Sequence, residues 1–220
     1  MKKKLVVYDF DKTIYDGETG VNFSVFYLKK YPLKSILFLI TYSRYLFLYL
    51  FKIVNLTKIK EKYFKFLEFH TKKEIQDLID EFWETKKNKI YPWVKEELQK
   101  NRKEADFVIV TSASPLFLIE KFLLSQGYDI VFGTRFVGDN QKKFVAQING
   151  KNNKGDEKVK KLNRWAKQNN YEIEIVKFYS DSLADKPLYD IAKRKFWIKR
   201  GKILEGMPKR KTLIDKLFWN

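Results

Sequence analysis

Four short apolar runs punctuate the chain, and each stops abruptly at polar residues. Leu5-Val6-Val7-Tyr8 ends at Asp9. Phe107-Val108-Ile109-Val110 ends at Thr111-Ser112-Ala113-Ser114. Ile173 to Tyr179 ends at Ser180-Asp181-Ser182, and Phe196-Trp197-Ile198 is the fourth. Runs of this length, rich in β-branched and aromatic residues, predict buried strands. Helical periodicity separates them. Pro92 to Lys100 is amphipathic. Ser114-Pro115 pairs an N-cap residue with proline at the first helical position, and the helix it opens runs from Leu116 to Leu124 and stops at Gly127. Asp156 to Gln168 places Val159, Leu162, Trp165 and Ala166 on one face. Strands alternating with helices imply a parallel sheet with crossover connections, helices covering both faces. Phe132 to Phe136 and Phe144 to Ile148, with Gly138-Asp139-Asn140 between them, predict a small appended hairpin.

The stretch from Gly17 to Lys89 breaks this alternation. Its pattern is helical throughout, so the expected architecture is an α/β, Rossmann-like core formed by residues 1–16 and 90–220, with an all-helical insert, 17–89, after the first strand. Within the insert, Leu33 to Val54 is unusually apolar and near the length of a bilayer span. Arg44 lies in its middle, where a lipid-spanning helix would lose roughly 2.5–3.5 kcal/mol. Lys34, Thr41, Arg44, Tyr45, Lys52 and Asn55 share one stripe at 100° per residue, which favours a helix or helix pair whose broad apolar face is packed inside the insert. Contact of residues 33–54 with a membrane surface is the alternative.

Composition narrows the chemistry. The chain has no cysteine and one histidine, His70. Disulfides, thiolate zinc sites, cysteine nucleophiles and multi-histidine metal sites are excluded. Carboxylates, lysines and hydroxyls must do the work of an enzyme. Lys and Arg total 45 against 27 Asp and Glu, a net charge of +18, which favours anionic partners. Asp9 and Asp11 interrupt the first apolar run after four residues, too soon for a secretory core, so a cytoplasmic location is expected, including the inner face of the membrane.

Ligands of such sheets bind beyond the carboxyl ends of the strands. Asp9 and Asp11 follow the first strand, Thr111 and Ser112 the second, and Asp181 the third. Asp9 and Asp11 are two apart, which in extended backbone sends both side chains the same way. Paired carboxylates repel unless a cation sits between them or one keeps its proton. With Asp181 added, the cluster is a hard, oxygen-rich site suited to Mg²⁺.

These segments resemble the haloacid dehalogenase superfamily, in the branch similar to phosphoserine phosphatases. Asp9-Phe10-Asp11-Lys12-Thr13 matches the aspartate-nucleophile motif, and Val110-Thr111-Ser112-Ala113-Ser114-Pro115 the second motif. Lys154-Gly155-Asp156-Glu157-Lys158-Val159 resembles the lysine motif, and Ser180-Asp181-Ser182-Leu183-Ala184-Asp185 the acidic fourth. The resemblance covers residues 1–16 and about 90–200, and reaches the insert only by its position as a cap. It implies a Mg²⁺-dependent phosphatase acting through an aspartyl-phosphate. Asp9 is implied as nucleophile and Asp11 as general acid and base. Asp9, Asp11 (through its backbone carbonyl) and Asp181 are implied to hold the metal. Thr111 is implied to bind phosphate beside Ser112, and Asp185 to orient a lysine. Lys154 and Lys158 both fit the lysine's place, with the preference on Lys154. Glu18 stands where phosphoserine phosphatases read the substrate's amino group, and Arg44, the only arginine of the insert, is the candidate for a second anionic group.

The expected partner is a small phosphorylated substrate, phosphoserine included. The apolar 33–54 segment is similar to relatives that act on phosphatidylglycerophosphate, which makes a membrane-surface lipid phosphatase the alternative. A nucleic-acid-binding or scaffold protein on a retained fold is the alternative from another class, motivated by charge alone; no nucleic acid is expected as a partner.

Overall fold

The computed structural model describes residues 1–137 and 144–208. Six strands form one sheet, in the order β3-β2-β1-β4-β5-β6. They are β1 (Lys2–Tyr8), β2 (Phe107–Pro115), β3 (Ile130–Thr134), β4 (Glu172–Ser180), β5 (Arg194–Lys199) and β6 (Lys202–Glu205). The first five run parallel, and β6 returns antiparallel beside β5. Register decides where the site forms. Tyr8 pairs with Val110 on one side and Tyr179 on the other. The polar residues that follow these three positions therefore emerge side by side at one sheet edge.

Alternation along β1 builds two cores. Val6 and Tyr8 join a cluster with Val94 and Leu98 of α5 (Trp93–Glu104) and Leu118, Ile119 and Leu123 of α6 (Leu116–Ser125). Leu5 and Val7 join the opposite cluster, with Leu162 of α7 (Asp156–Gln168) and Leu188 and Tyr189 of α8 (Lys186–Ile191). Both faces of the sheet are thus covered, as a parallel sheet requires. Gly133 lets α6 lie close on β3: a Cβ there would stand 2.7 Å from the Leu116 Cα.

The hairpin reading of 132–148 needs correction. Ile130–Thr134 is a parallel strand of the main sheet, paired with β2. A short antiparallel contact does follow, with Phe136 opposite Ile148 and Val137 N–H donating to Gln147 O at 2.7 Å. The Gly138-Asp139-Asn140 turn lies outside the described residues. Strand β6 follows a two-residue turn, Arg200-Gly201, in which both residues have positive φ (50° and 74°), the backbone that a tight hairpin needs.

Between β1 and α5 the described residues form only helices: α1 (Thr19–Lys30), α2 (Pro32–Leu50), α3 (Leu56–Tyr63), a 3₁₀ turn (Lys65–Phe69), α4 (Lys72–Lys86) and a short 3₁₀ turn (Lys87–Lys89). Thr71 and Glu74 close a reciprocal capping box at the start of α4. Phe23, Tyr27, Phe66, Leu78 and Phe82 fill the insert's interior, which is continuous with the α5/α6 side of the core. Trp83 fastens the two together: its indole N–H donates to Leu118 O at 2.7 Å, and its ring stacks on Phe122 at 3.8 Å. His70 is buried here, its Nε2 2.9 Å from the Tyr27 hydroxyl.

Helix α2 departs from the packed helix that its pattern favours. Leu33, Ile36, Ile40, Phe47 and Leu50 are exposed, Leu33 by 81%. Among its described residues α2 meets α3 through Tyr42, whose ring lies 5.0 Å from that of Tyr63. Among the described residues no helix is long and apolar enough to cross a membrane.

Gly133→Ala is expected to cost about 1–3 kcal/mol of unfolding free energy, because the new methyl meets α6 backbone rather than a movable side-chain tip. Urea denaturation measures it, and an unchanged midpoint refutes the close contact.

Candidate active site

The site starts with a turn. After β1, Lys12 adopts a left-handed conformation (φ 56°), and its N–H donates to Tyr15 O at 2.7 Å. The chain folds back at once, leaving Asp9 at the strand tip and Thr13 beneath it. The Asp9 N–H donates to Tyr179 O at 2.8 Å, tying the tip of β1 to that of β4. The Thr13 hydroxyl lies between two carboxylates, 3.4 Å from Asp9 Oδ2 and 3.3 Å from Asp181 Oδ1, and accepts from Asp181 N–H at 3.0 Å.

Lys158 enters from the first turn of α7. Its ammonium donates to Asp9 Oδ1 at 2.7 Å and to Asp185 Oδ2 at 2.8 Å, and all three residues are buried. Asp185 also accepts from the Ser180 hydroxyl at 2.8 Å. Burial works against the lysine's charge, but the carboxylates of Asp185 and Asp9 outweigh it and raise its pKa. One lysine cannot neutralise Asp9, Asp181 and Asp185 together. Burial, reinforced by neighbouring carboxylates, pushes Asp9 well above the usual range and Asp181 up to about 7. This surplus of buried negative charge fits a site that takes a divalent cation.

Asp11 points elsewhere. Its carboxylate accepts from Thr19 N–H at 2.7 Å and from the hydroxyls of Thr19 and Ser114. It is therefore held between the start of α1 and the end of β2. Burial raises its pKa against the opposing pull of the Ser114 and Thr19 hydrogen bonds. Among the described residues no three acidic or histidine side chains gather as a metal cluster. Thr19 and Ser114 thus engage the Asp11 carboxylate, and the metal role that the resemblance implies for Asp11 rests on its backbone carbonyl.

A family model described as haloacid dehalogenase-like hydrolase matches residues 6–190. The chain belongs to the haloacid dehalogenase-like hydrolase family. It is accordingly a hydrolytic enzyme by family. No curated protein matches it. Among solved structures, a protein of unknown function from Bordetella pertussis Tohama I is similar over 89% of each chain, with a TM-score of 0.71 and 16% identity. Phosphoserine phosphatase in apo form matches with a TM-score of 0.57 and 18% identity, over 89% of this chain and 85% of that one. A phospho-aspartyl intermediate analogue of phosphoserine phosphatase matches at 0.55 and 18%, over 89% and 86%. At such identities the likeness establishes the fold.

In this haloacid dehalogenase-like chain a cavity of about 380 Å³ opens over Asp9. Asp11, Ser112, Lys154, Lys158, Asp181 and Asp185 all reach its wall. Of the two lysines, Lys158 makes the contact with Asp9, against the sequence preference for Lys154, because α7 begins at Asp156 and its first turn carries Lys158 over the strand tip. Ser112 rather than Thr111 lines the cavity; Thr111 is buried and its hydroxyl accepts from Asn153 Nδ2 at 3.1 Å. Glu18 lines the cavity but is ion-paired with Lys12 at 2.5 Å. Arg44 is exposed on α2 and stands outside the cavity wall, which α2 reaches through Tyr42.

Lys60 of α3 escaped the sequence reading, since nothing in its local pattern marks it. Its ammonium reaches from the insert into the core, donating to Ala113 O and to Asn152 Oδ1, the latter at 2.9 Å, beside the cavity. Burial lowers its pKa to about 8 from an unfolded value near 10.5. Between those values the unfolded chain holds the extra proton, so stability rises with pH across this window. The difference in unfolding free energy between wild type and Lys60→Met is expected to stay flat below pH 8 and shift in favour of wild type from about pH 8 to 10.5. Urea titrations at stepped pH test this, and a pH-independent difference refutes it.

Proposed function

We propose that this chain is a Mg²⁺-dependent phosphomonoester hydrolase that works through an aspartyl-phosphate formed on Asp9. The observation that carries this reading is the Asp9 carboxylate itself, hydrogen-bonded by Lys158 on one oxygen and facing Asp181 across Thr13 on the other. An anionic nucleophile attacking an anionic phosphate needs compensating charge. Lys158 brings one positive charge that Asp185 holds in place. The Asp9 and Asp181 side chains, with the Asp11 carbonyl, would hold Mg²⁺, which supplies further neutralisation of the phosphoryl oxygens.

The first step forms a bond from an Asp9 oxygen to phosphorus and breaks the ester P–O bond. Asp11 gives its proton to the departing oxygen; burial favours the protonated form that this role needs. In the second step Asp11 takes a proton from water, the water oxygen bonds to phosphorus, and the Asp9–phosphorus bond breaks to release inorganic phosphate. Ser112, on the cavity wall, donates to the phosphoryl group in this reading. Thr19 and Ser114 hold Asp11 at the boundary between insert and core, the side from which a leaving group enters. The resemblance of the fold to a phospho-aspartyl analogue of phosphoserine phosphatase supports the same sequence of steps.

The substrate is a phosphomonoester small enough for its phosphate to reach Asp9. A second reading, a lipid phosphate taken at a membrane surface, is favoured by the outward apolar face of α2.

Mg²⁺-dependent phosphate release from p-nitrophenyl phosphate is expected, and chelation abolishes it. Asp9→Asn should lower kcat at least about 10³-fold, and Lys158→Ala about 10²-fold or more. Lys154→Ala should stay within roughly tenfold of wild type. Equal activity of wild type and Asp9→Asn would sink the nucleophile assignment. A larger loss at Lys154 than at Lys158 would reverse the lysine assignment.

A further inference from the structure

Between Glu18 and Glu61 the chain has no acidic residue, while the same stretch carries seven lysines and arginines. It comprises α1, α2 and most of α3. Its surface is also the most apolar among the described residues. Leu33, Ile36, Ile40, Phe47 and Phe51 fall within one stripe at 100° per residue, and all five are exposed. Leu50 (70%) and Ile53 (68%) extend it past the end of the helix. A soluble surface rarely leaves so many large apolar side chains contiguous unless something covers them.

Charge selects what covers them. A second copy would bring the exposed Arg44 and Lys52 against the same two cations, with no acidic residue on α2 or the turn after it to pair with them, and like charges repel. An anionic bilayer offers an apolar interior for the stripe and phosphate headgroups for the lysines. Arg44, at the edge of the stripe and exposed, has a stem long enough to set its guanidinium at headgroup level while Ile40 and Phe47 go deeper. We propose that α2 and the turn after it dock this protein onto an anionic lipid bilayer, lying in the interface rather than crossing it.

The opposite side of the same helix meets the active site. Tyr42 packs on Tyr63 with ring centroids 5.0 Å apart, and both line the cavity over Asp9 together with Val21 and Ile59. Val21 is itself 52% exposed, so the cavity's apolar wall runs out to the surface. The core side of that cavity carries carboxylates and lysines; the insert side is mainly apolar apart from Glu18 and Lys60. Resting on the phosphatase reading, this division deepens it. The docked enzyme takes a phosphomonoester whose leaving group is lipid-anchored, with phosphate toward Asp9 and the apolar portion along Val21, Tyr42 and Ile59.

Full-length protein is sedimented with vesicles of phosphatidylcholine alone and of phosphatidylcholine mixed with phosphatidylglycerol. Wild type should pellet with the mixed vesicles and not with the neutral ones. The triple variant Ile40→Glu, Phe47→Glu, Leu50→Glu should bind at least about tenfold more weakly while keeping wild-type p-nitrophenyl phosphate hydrolysis, which reports its folding. Asp9→Asn should bind vesicles like wild type, so docking is read independently of catalysis. Activity on a short-chain phosphatidyl phosphomonoester in mixed vesicles should fall in the triple variant in parallel with binding. Absence of wild-type binding to mixed vesicles overturns the docking proposal even if the enzyme hydrolyses p-nitrophenyl phosphate. So does equal binding by the triple variant, or a wild-type dimer in sedimentation velocity that the triple variant abolishes. Strong vesicle binding with hydrolysis confined to soluble esters overturns the lipid-anchored substrate and leaves docking standing.

Discussion

Lys158 carries one positive charge into a buried space bordered by Asp9, Asp181 and Asp185. A carboxylate at the tip of a buried strand is costly without a partner, and the lysine's direct contacts with Asp9 and Asp185 stabilise it there. Lys158 also joins elements far apart in sequence: α7 supplies the ammonium, the tip of β1 the Asp9 carboxylate, and the segment after β4 the Asp185 carboxylate. Removing Lys158 leaves the buried Asp9 and Asp185 carboxylates without their ammonium partner. Yet the balance is incomplete by design of the donor set, because two carboxylates remain in excess. That surplus is what the proposed Mg²⁺ would neutralise, whereas at Asp11 it is burial that favours the protonated form.

The sheet delivers these groups through register. Asp9, Ser112 and Asp181 need no local interaction to find each other; the pairing of Tyr8 with Val110 and Tyr179 brings them level. The helical insert then closes the open side. It is not an independent lid in its packing, since Trp83 and Lys60 both reach into the core. The insert thereby gives the cavity its asymmetry: ionic groups toward the sheet, mainly apolar groups toward the insert. Helix α2 has two apolar roles on opposite sides, walling the cavity with Tyr42 and facing outward with Ile40 and Phe47. A single amphipathic-helix template, with one buried face, does not describe it.

Much of this was legible in the sequence because its causes are local. Continuous apolar runs, helical periodicity and polar residues at strand ends each act within a few residues. They located four strands (β1, β2, β4 and β5) and three core helices (α5, α6 and α7), and put Asp9 and Asp181 at the ends of neighbouring strands. The Ser114-Pro115 cap is the exception, since Pro115 ends β2 and takes the N-cap place itself while the Ser114 hydroxyl donates to Asp11. The third parallel strand was missed because Ile130–Thr134 is short, holds a glycine and precedes a real antiparallel contact, so its pattern read as one arm of a hairpin. β6 was missed because its four residues, mostly exposed, show little apolar contrast.

What the sequence determined by itself was the chemistry available: no thiol, one histidine, carboxylates at two strand tips, hydroxyls at a third, and candidate lysines beside them. Tertiary structure decided which groups meet. Lys154 and Lys158 are one helical turn apart, and only the start of α7 at Asp156 carries the second over Asp9. Thr111 and Ser112 are adjacent, and the strand's alternation turns one inward to Asn153 and leaves the other at the cavity. Lys60 became a bridge from insert to core only through the packing of α3. The same limit applies to α2: periodicity showed an apolar face, but only the folded chain shows that Ile36, Ile40 and Phe47 turn outward. Burial depends on what the rest of the chain has already covered, and no local pattern records that.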